Sequence, residues 1–308
     1  MRTSLMRISL AYCFAGLVAT VGCSNSTTPG AATPDAPGST PGDAPGDSTA
    51  GDAGSTGNQP PDGSGPITVG NDGCFDGVTM TGPAPTGTGP HLGAHGMRYC
   101  KYMSNLPATL AGQVLTTQAN GSTILVNIGR GDASKFVAPS DDKGNTPYKK
   151  LDMTRAFADY PNSGTAVYSF TNAVGGPDFQ VTTPTGYDGT TDDEVTLAVV
   201  EVVGGTHIQD IQWNQPSMNP LKSASVKTTA AATLVAFWWG NAFPDTPQSA
   251  IPDSGFTAID YNTDMPQKPT GFVQAAVAVK NVTAPGTYDV TWTATPDQAA
   301  QLWLIAVQ

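Results

Sequence analysis

Glu194 and Glu201 are the only glutamates in the chain, and a pair of carboxylates is what hydrolysis of a glycosidic bond requires. Glu201 shares a strand face with Val195, Leu197, Val199 and Val203, where a carboxyl group must be paired, hydrogen-bonded or neutral. Asp192, Asp193 and Glu194 stand at the start of the same segment. In an extended strand the two glutamates fall on opposite faces, more than roughly 20 Å apart, whereas a retaining glycosidase holds its pair about 5 Å apart. They are not a catalytic pair. Glu201 alone stays as a catalytic candidate, with a salt-bridged or backbone-bound role the expected reading. The sequence has no G-x-S-x-G elbow, no H-E-x-x-H and no phosphate loop, and His91, His95 and His207 fit no triad pattern. Binding or structure ranks above catalysis.

Trp238 and Trp239 are adjacent, so on a strand they point to opposite sides, one with Leu234 and Ala236, the other with Val235 and Phe237. One side is core, and the other is too apolar for open solvent. Either the segment from Cys74 to Val114 covers it, which is the expected reading, or it is a platform on which a sugar ring stacks. Trp213, Asp210, Asn241 and Asp245 complete that candidate ligand set. If every tryptophan is buried, Tyr160, Tyr187 and Tyr261 become the candidates.

Asp141, Asp142 and Asn145 carry oxygens of the kind that bind calcium, but the run SDDKGN from Ser140 to Asn145 is explained as a hairpin turn without an ion. No cofactor is expected. Cys74 and Cys100 are read as a disulfide that staples a Gly- and Pro-rich loop, worth roughly 3 kcal/mol. A metal site with His91 and His95 is the alternative; Pro90, Gly93 and Gly96 break any helix that would align them. Arg130-Gly131-Asp132 spells a tripeptide read by animal integrins, and in a Gly- and Asp-rich chain it is read as chance.

The elements that position these residues begin with an export signal. Arg2 and Arg7 precede an apolar run from Ile8 to Ala19, too short to span a bilayer, and Thr20-Val21-Gly22-Cys23 follows. Small residues running into a cysteine resemble the lipobox of bacterial lipoproteins, although Thr20 stands where that family usually has Leu. The resemblance implies cleavage after residue 22, acylation of Cys23 and, with Ser24 next, an outer-membrane or cell-surface destination. From Ser24 to Pro66 there is no aromatic residue and no Leu, Ile, Val or Met, so nothing offsets the entropy of ordering. Residues 23–66 read as a disordered tether with an r.m.s. span of roughly 35–40 Å.

The remaining chain is long enough for a single core. It divides into a stapled segment, 67–115, expected to pack on a sandwich domain, 116–308. Val, Thr, Ala and aromatic residues dominate, and breakers recur every ten residues or so. Tyr288, Val290 and Trp292 alternate with Asp289, Thr291 and Thr293, the pattern of a strand buried on one face. The predicted fold class is all-β, a two-sheet antiparallel β-sandwich. The ordered motifs TILVNIGRGD, SDDKGNTPYKKL, GTAVYSFTNAVGGPDFQVTT, VTLAVVEVVGG, ATLVAFWWGNA and GTYDVTWTATPDQAAQLWLIAV resemble a module of large secreted bacterial proteins, similar to concanavalin A-like jelly rolls. Pro147 departs from its pattern. That likeness implies a jelly-roll-like sandwich on a surface and carries no activity.

The formal net charge of −11, without a basic cluster, excludes nucleic acid as partner and leaves membrane attachment to the acyl chains on Cys23. The function expected is a lipid-anchored, non-catalytic surface protein for adhesion or glycan binding, its partner a polysaccharide or another surface protein. A jelly-roll glycan-active enzyme and a purely structural envelope protein are the alternatives.

Overall fold

The computed structural model describes residues 74–79, 89–103, 107–185, 193–241, 248–263 and 273–308. Cys23, the tether, Tyr187 and Asp245 lie outside these residues.

Among the described residues the regular structure is β-strand, plus one 3-10 turn at Ala133–Lys135. The strands of the first half are β1 (Cys74–Asp76), β2 (Val78–Thr79), β3 (His91–Met103), β4 (Thr109–Ala111), β5 (Asn120–Arg130), β6 (Ser140–Asp141), β7 (Lys149–Lys150), β8 (Arg155–Ala156), β9 (Gly164–Val174), β10 (Val181–Pro184) and β11 (Asp193–Val203). Those of the second are β12 (Ile208–Asn214), β13 (Leu221–Lys222), β14 (Val226–Thr228), β15 (Ala232–Asn241), β16 (Ser249–Pro252), β17 (Thr257–Tyr261), β18 (Val273–Val282), β19 (Gly286–Tyr288), β20 (Thr291–Thr295) and β21 (Ala300–Val307).

Two large antiparallel sheets form the sandwich. One runs β1-β3-β11-β5-β9-β7, with β8 also on β9; the other runs β12-β21-β15-β18-β17-β2. Their facing sides share a core of Met97, Leu125, Val167, Val200, Phe237, Trp239, Val277, Trp303 and neighbours, a seam between the two halves of the chain. Each large sheet is also backed on its outer side. The strands β4-β10-β6 cover the first over Leu110, Val126, Phe179 and Leu197, and β13-β20-β16 with β14-β19 cover the second over Leu221, Trp238, Trp292 and Leu304. The expected sandwich is therefore present with an extra layer on each side. This explains why β11, β15 and β21 are continuous apolar runs rather than alternating ones: both of their faces are buried.

The halves repeat one plan. In the first, β3 pairs with β11, β11 with β5, and β5 with β9; in the second, β12 pairs with β21, β21 with β15, and β15 with β18. The backing sheets β4-β10-β6 and β13-β20-β16 correspond in the same way.

Two expectations are corrected here. Within 67–115, the described thirteen-residue strand β3 lies between β1 and β11 as part of the first large sheet, rather than packing on the sandwich from outside it. The run Ser140 to Asn145 turns but does not close a hairpin, since β6 pairs with β10 and β7 with β9. Cys74 and Cys100 are bonded, as cross-strand partners of β1 and β3.

Polar contacts pin the seam. A bulge in β17 between Ala258 and Asp260 turns Asp260 inward, and its Oδ2 lies 3.0 Å from Nδ1 of His95 on the opposite sheet. Toward one end, the Thr165 hydroxyl donates to Gln301 Oε1 at 2.6 Å and accepts from Trp303 Nε1 at 2.7 Å, while Gln301 Nε2 donates to the Arg155 carbonyl at 2.9 Å.

Candidate functional site

The structure disperses the tryptophan platform. Trp238 is 1 % exposed and Trp239 2 % exposed, on opposite faces as their adjacency requires. Trp238 belongs to the outer core of the second half and Trp239 to the seam. What covers Trp239 is the first large sheet as a whole, not the segment from Cys74 to Val114 alone. Asp210 is paired with Ala306, an outer-core residue, and Trp213 with Trp303, a seam residue, so the two side chains face opposite ways. Asp210 is committed to structure: Oδ2 accepts from the Lys227 backbone N–H at 2.8 Å and Oδ1 from Gln212 at 3.0 Å. Asn241 is the last residue of β15 and its carbonyl accepts from Gln274 Nε2.

Other candidates are likewise occupied. Glu201 is buried, Oε1 accepts from Gln118 N and the Ser122 hydroxyl, and Oε2 accepts from Ala94 N at 2.9 Å. It ties the loop before β5 to β3. Asp141 Oδ1 accepts from the backbone N–H of Lys143 and of Asn145, and Oδ2 from Asn145 Nδ2 and the Tyr148 hydroxyl; Asp142 Oδ1 accepts from Gln180 N. These oxygens hold the turn. Arg130 is buried against Asp193 and donates to the carbonyls of Lys135, Pro184 and Thr185, so the integrin-like tripeptide has no arginine to present.

The loop tyrosines give a different result. Tyr261 is buried, but Tyr160 is 57 % exposed. Its loop is fixed by backbone bonds from Tyr160 N to the Phe157 carbonyl, from Ser163 N to the Tyr160 carbonyl and from Phe157 N to the Ser163 carbonyl. The Tyr160 ring stacks on Phe157 with centroids 6.1 Å apart, and Phe157 meets Trp239 edge-on at 5.7 Å. Beside this run the Arg155 guanidinium lies 4.7 Å from the centroid of Trp213, which is half-buried and packs on Trp303 at 6.3 Å. Ala158 N donates to Gln215 Oε1, closing the 152–163 loop of the first half onto the 213–220 loop of the second. Of the six large apolar side chains exposed among the described residues, Met153, Tyr160 and Met218 are on these two loops. One end of the seam thus presents an aromatic strip that continues inward from a fixed, exposed ring.

At the same end β11 begins with Asp193 and Glu194. Asp193 is engaged: Oδ2 with Arg130, Oδ1 with the N–H groups of Asp132 and Glu194. Glu194 is 7 % exposed and its Oε2 has no hydrogen-bond partner. Burial, with the neighbouring Asp193 charge second, pushes its carboxyl up to about 8, so it is protonated at neutral pH. Sequence reasoning weighed Glu194 only as a partner for Glu201 and missed Phe157 and Arg155. The usable signal was the parity of β11: Glu194 falls in with Thr196, Ala198 and Val200 on the seam face, opposite Glu201.

No protein-family model, curated protein or solved structure matches the chain.

Proposed function

We propose that this is a lipid-anchored surface protein that binds glycans or a glycosylated surface through the aromatic end of its seam. The observation that carries the reading is the exposed Tyr160 ring on a loop fixed at both ends, backed by Phe157 and Trp239 and flanked by Trp213 under Arg155. Flat apolar rings with polar edges stack on the C–H faces of sugars, and a fixed loop loses little entropy on binding. The lipobox-like start supplies the anchor, Cys23, and the tether supplies reach from the bilayer. The engagement of both Glu201 oxygens supports a non-catalytic role.

A glycan array and polysaccharide pull-down test the reading. Binding should drop at least tenfold in Tyr160→Ala with an unchanged thermal melt. An array without hits, or a Tyr160→Ala variant that binds like the parent, overturns it in favour of a structural envelope role. The anchor is tested separately: Cys23→Ser should leave an uncut precursor or release a soluble form, and a mature protein without acyl mass would refute it.

A further inference from the structure

One large sheet ends in β1 on one side and in β7 with β8 on the other; the second ends in β2 and in β12. Most of these edges are short or guarded. β2, β7 and β8 are two residues each, and β7 is Lys149–Lys150. β1 is three residues and is bonded to β3 through Cys74 and Cys100. β12 differs: it is seven residues long, IQDIQWN, and has no Lys, Arg or Pro. A long edge without such residues is a template for another strand, and proteins ordinarily blunt it. The bulge in β12 lies only at its start, between Ile208 and Asp210; from Asp210 to Asn214 the register with β21 is unbroken. The first half closes the matching edge. There β1 lies antiparallel on the outside of β3, the counterpart of β12.

The phase of the ladder shows which groups are open. Ala300 N donates to the Pro216 carbonyl, in the same register that sets Asn214 opposite Leu302, Gln212 opposite Leu304 and Asp210 opposite Ala306. In an antiparallel pair every second residue turns its N–H and C=O to the partner strand. Asp210, Gln212 and Asn214 therefore bond β21, and Ile211 and Trp213 turn their backbone groups away from it. Among the described residues those groups have no partner. Both faces of β12 are engaged by its own chain. Arg155 lies over Trp213 on the seam side, and on the other side Asp210 bonds Lys227 N while Asn214 bonds Ala224 N and the Lys222 carbonyl.

The strand that fits is another β12. The tether from Ser24 to Pro66 has no Leu, Ile, Val or aromatic residue and cannot supply one. Two copies related by a two-fold axis pair antiparallel, the same sense as β1 on β3. With the axis at Gln212, Ile211 faces Trp213 of the second copy, and the two exchange backbone bonds on either side of the axis. Asp210, the one charge in the strand, faces Asn214 of the second copy, so no like charges meet despite the net charge of −11. We infer that β12 is a homodimer interface, through which the β12-β21-β15-β18 sheets of two copies join into one continuous sheet.

The test is sedimentation equilibrium of the full chain in detergent. The parent should be a dimer that dissociates on dilution. Gln212 is exposed, and across the axis its Cβ should stand about 4.5–5.5 Å from that of the second copy. Gln212→Cys should therefore give a covalent dimer on mild oxidation, whereas Thr287→Cys, an exposed position on β19, should not. Ile211→Pro removes an outward N–H that β21 does not use, and should weaken the dimer roughly tenfold or more. Should that variant not fold, Gln212→Lys sets two lysines against each other at the axis and should also weaken it. A parent that is monomeric at every concentration overturns the inference. So does a dimer that Gln212→Cys fails to cross-link, or one that the folded variants leave at parent strength.

Discussion

The two halves of the molecule share one strand plan and fill it differently. The first half buries charge: Arg130 against Asp193, Glu201 among backbone donors, and Glu194 with an oxygen unmet. It also carries the disulfide. The second half fills the matching outer core with Trp238, Trp292 and small alanines, and carries the uncharged side chain of Gln308 beside the loop before β15. Gln308 serves the loop before β15 much as Glu201 serves the loop before β5. Its carbonyl accepts from Thr206 N and His207 N, its Oε1 accepts from the Thr229 hydroxyl and its Nε2 donates to the Ala230 carbonyl. The buried charges of the first half concentrate near the N-terminal end of β11, where the candidate site lies.

The comparison is most sharply broken at Arg130. Arg130→Ala strands Asp193 in the core and removes donors from three carbonyls, and should cost about 3–5 kcal/mol in a urea melt. The double variant Arg130→Met, Asp193→Leu should recover a large part of that loss. If Arg130→Ala costs under about 1 kcal/mol, the first half is not organised around this pair.

Next comes the titration of Glu194. A carboxyl group held up to about 8 when folded, against 4.5 for the free group, binds more protons folded than unfolded between those values. Stability therefore falls as pH rises through that window, by about 1.4 kcal/mol per unit for a single group. Below it the effect vanishes, and above it the loss is complete. Glu194→Gln should flatten the profile and lie above the parent by the greatest margin past pH 8. Equal slopes for parent and variant would mean that Glu194 is ionised in the fold.

These two sites also show what the sequence made legible. The long runs at β11, β15 and β21 are readable as strands, and adjacency alone puts Trp238 and Trp239 on opposite faces. The cover over those faces is not readable, because it comes from residues far away in sequence, such as Leu110 and Val181 over β11 and Leu221 and Trp292 over β15. β3 was missed because HLGAHGMRYC has no apolar alternation. The structure gives the reason: a Cβ on Gly93 would lie 2.3 Å from Glu201 Oε2 and one on Gly96 2.4 Å from Gln113 Oε1, so these positions make room for polar side chains from other segments. Glu194 was set aside because it falls on the opposite strand face from Glu201, and the cover that buries it comes from segments distant in sequence.

A smaller effect tests the equivalence of Glu201 and Gln308. Glu201→Gln sets an amide N–H against Ala94 N–H or against the donors of Gln118 and Ser122, and should cost about 1–3 kcal/mol. Gln308→Glu sets a carboxylate oxygen against the Ala230 carbonyl and should also destabilise, by less, because this residue lies nearer the surface. If either change is silent in a thermal melt, the two residues do not hold their loops in the same way.

The smallest effect belongs to the second half's own ion pair, Lys222 with Asp289 at 3.1 Å. It joins β13 to the link between β19 and β20 in the backing layer of the second half. Here the lysine side chain is 60 % exposed and the aspartate 30 %, so water screens the attraction and the ordering of a long side chain offsets much of what remains. Lys222→Ala should therefore change stability by no more than about 0.5 kcal/mol, and the difference should disappear in 1 M salt, where the screening length is roughly 3 Å. A loss comparable to that of Arg130→Ala would show that the outer layer of the second half also depends on charge, and the contrast between an ionic outer layer in the first half and an apolar one in the second would no longer hold.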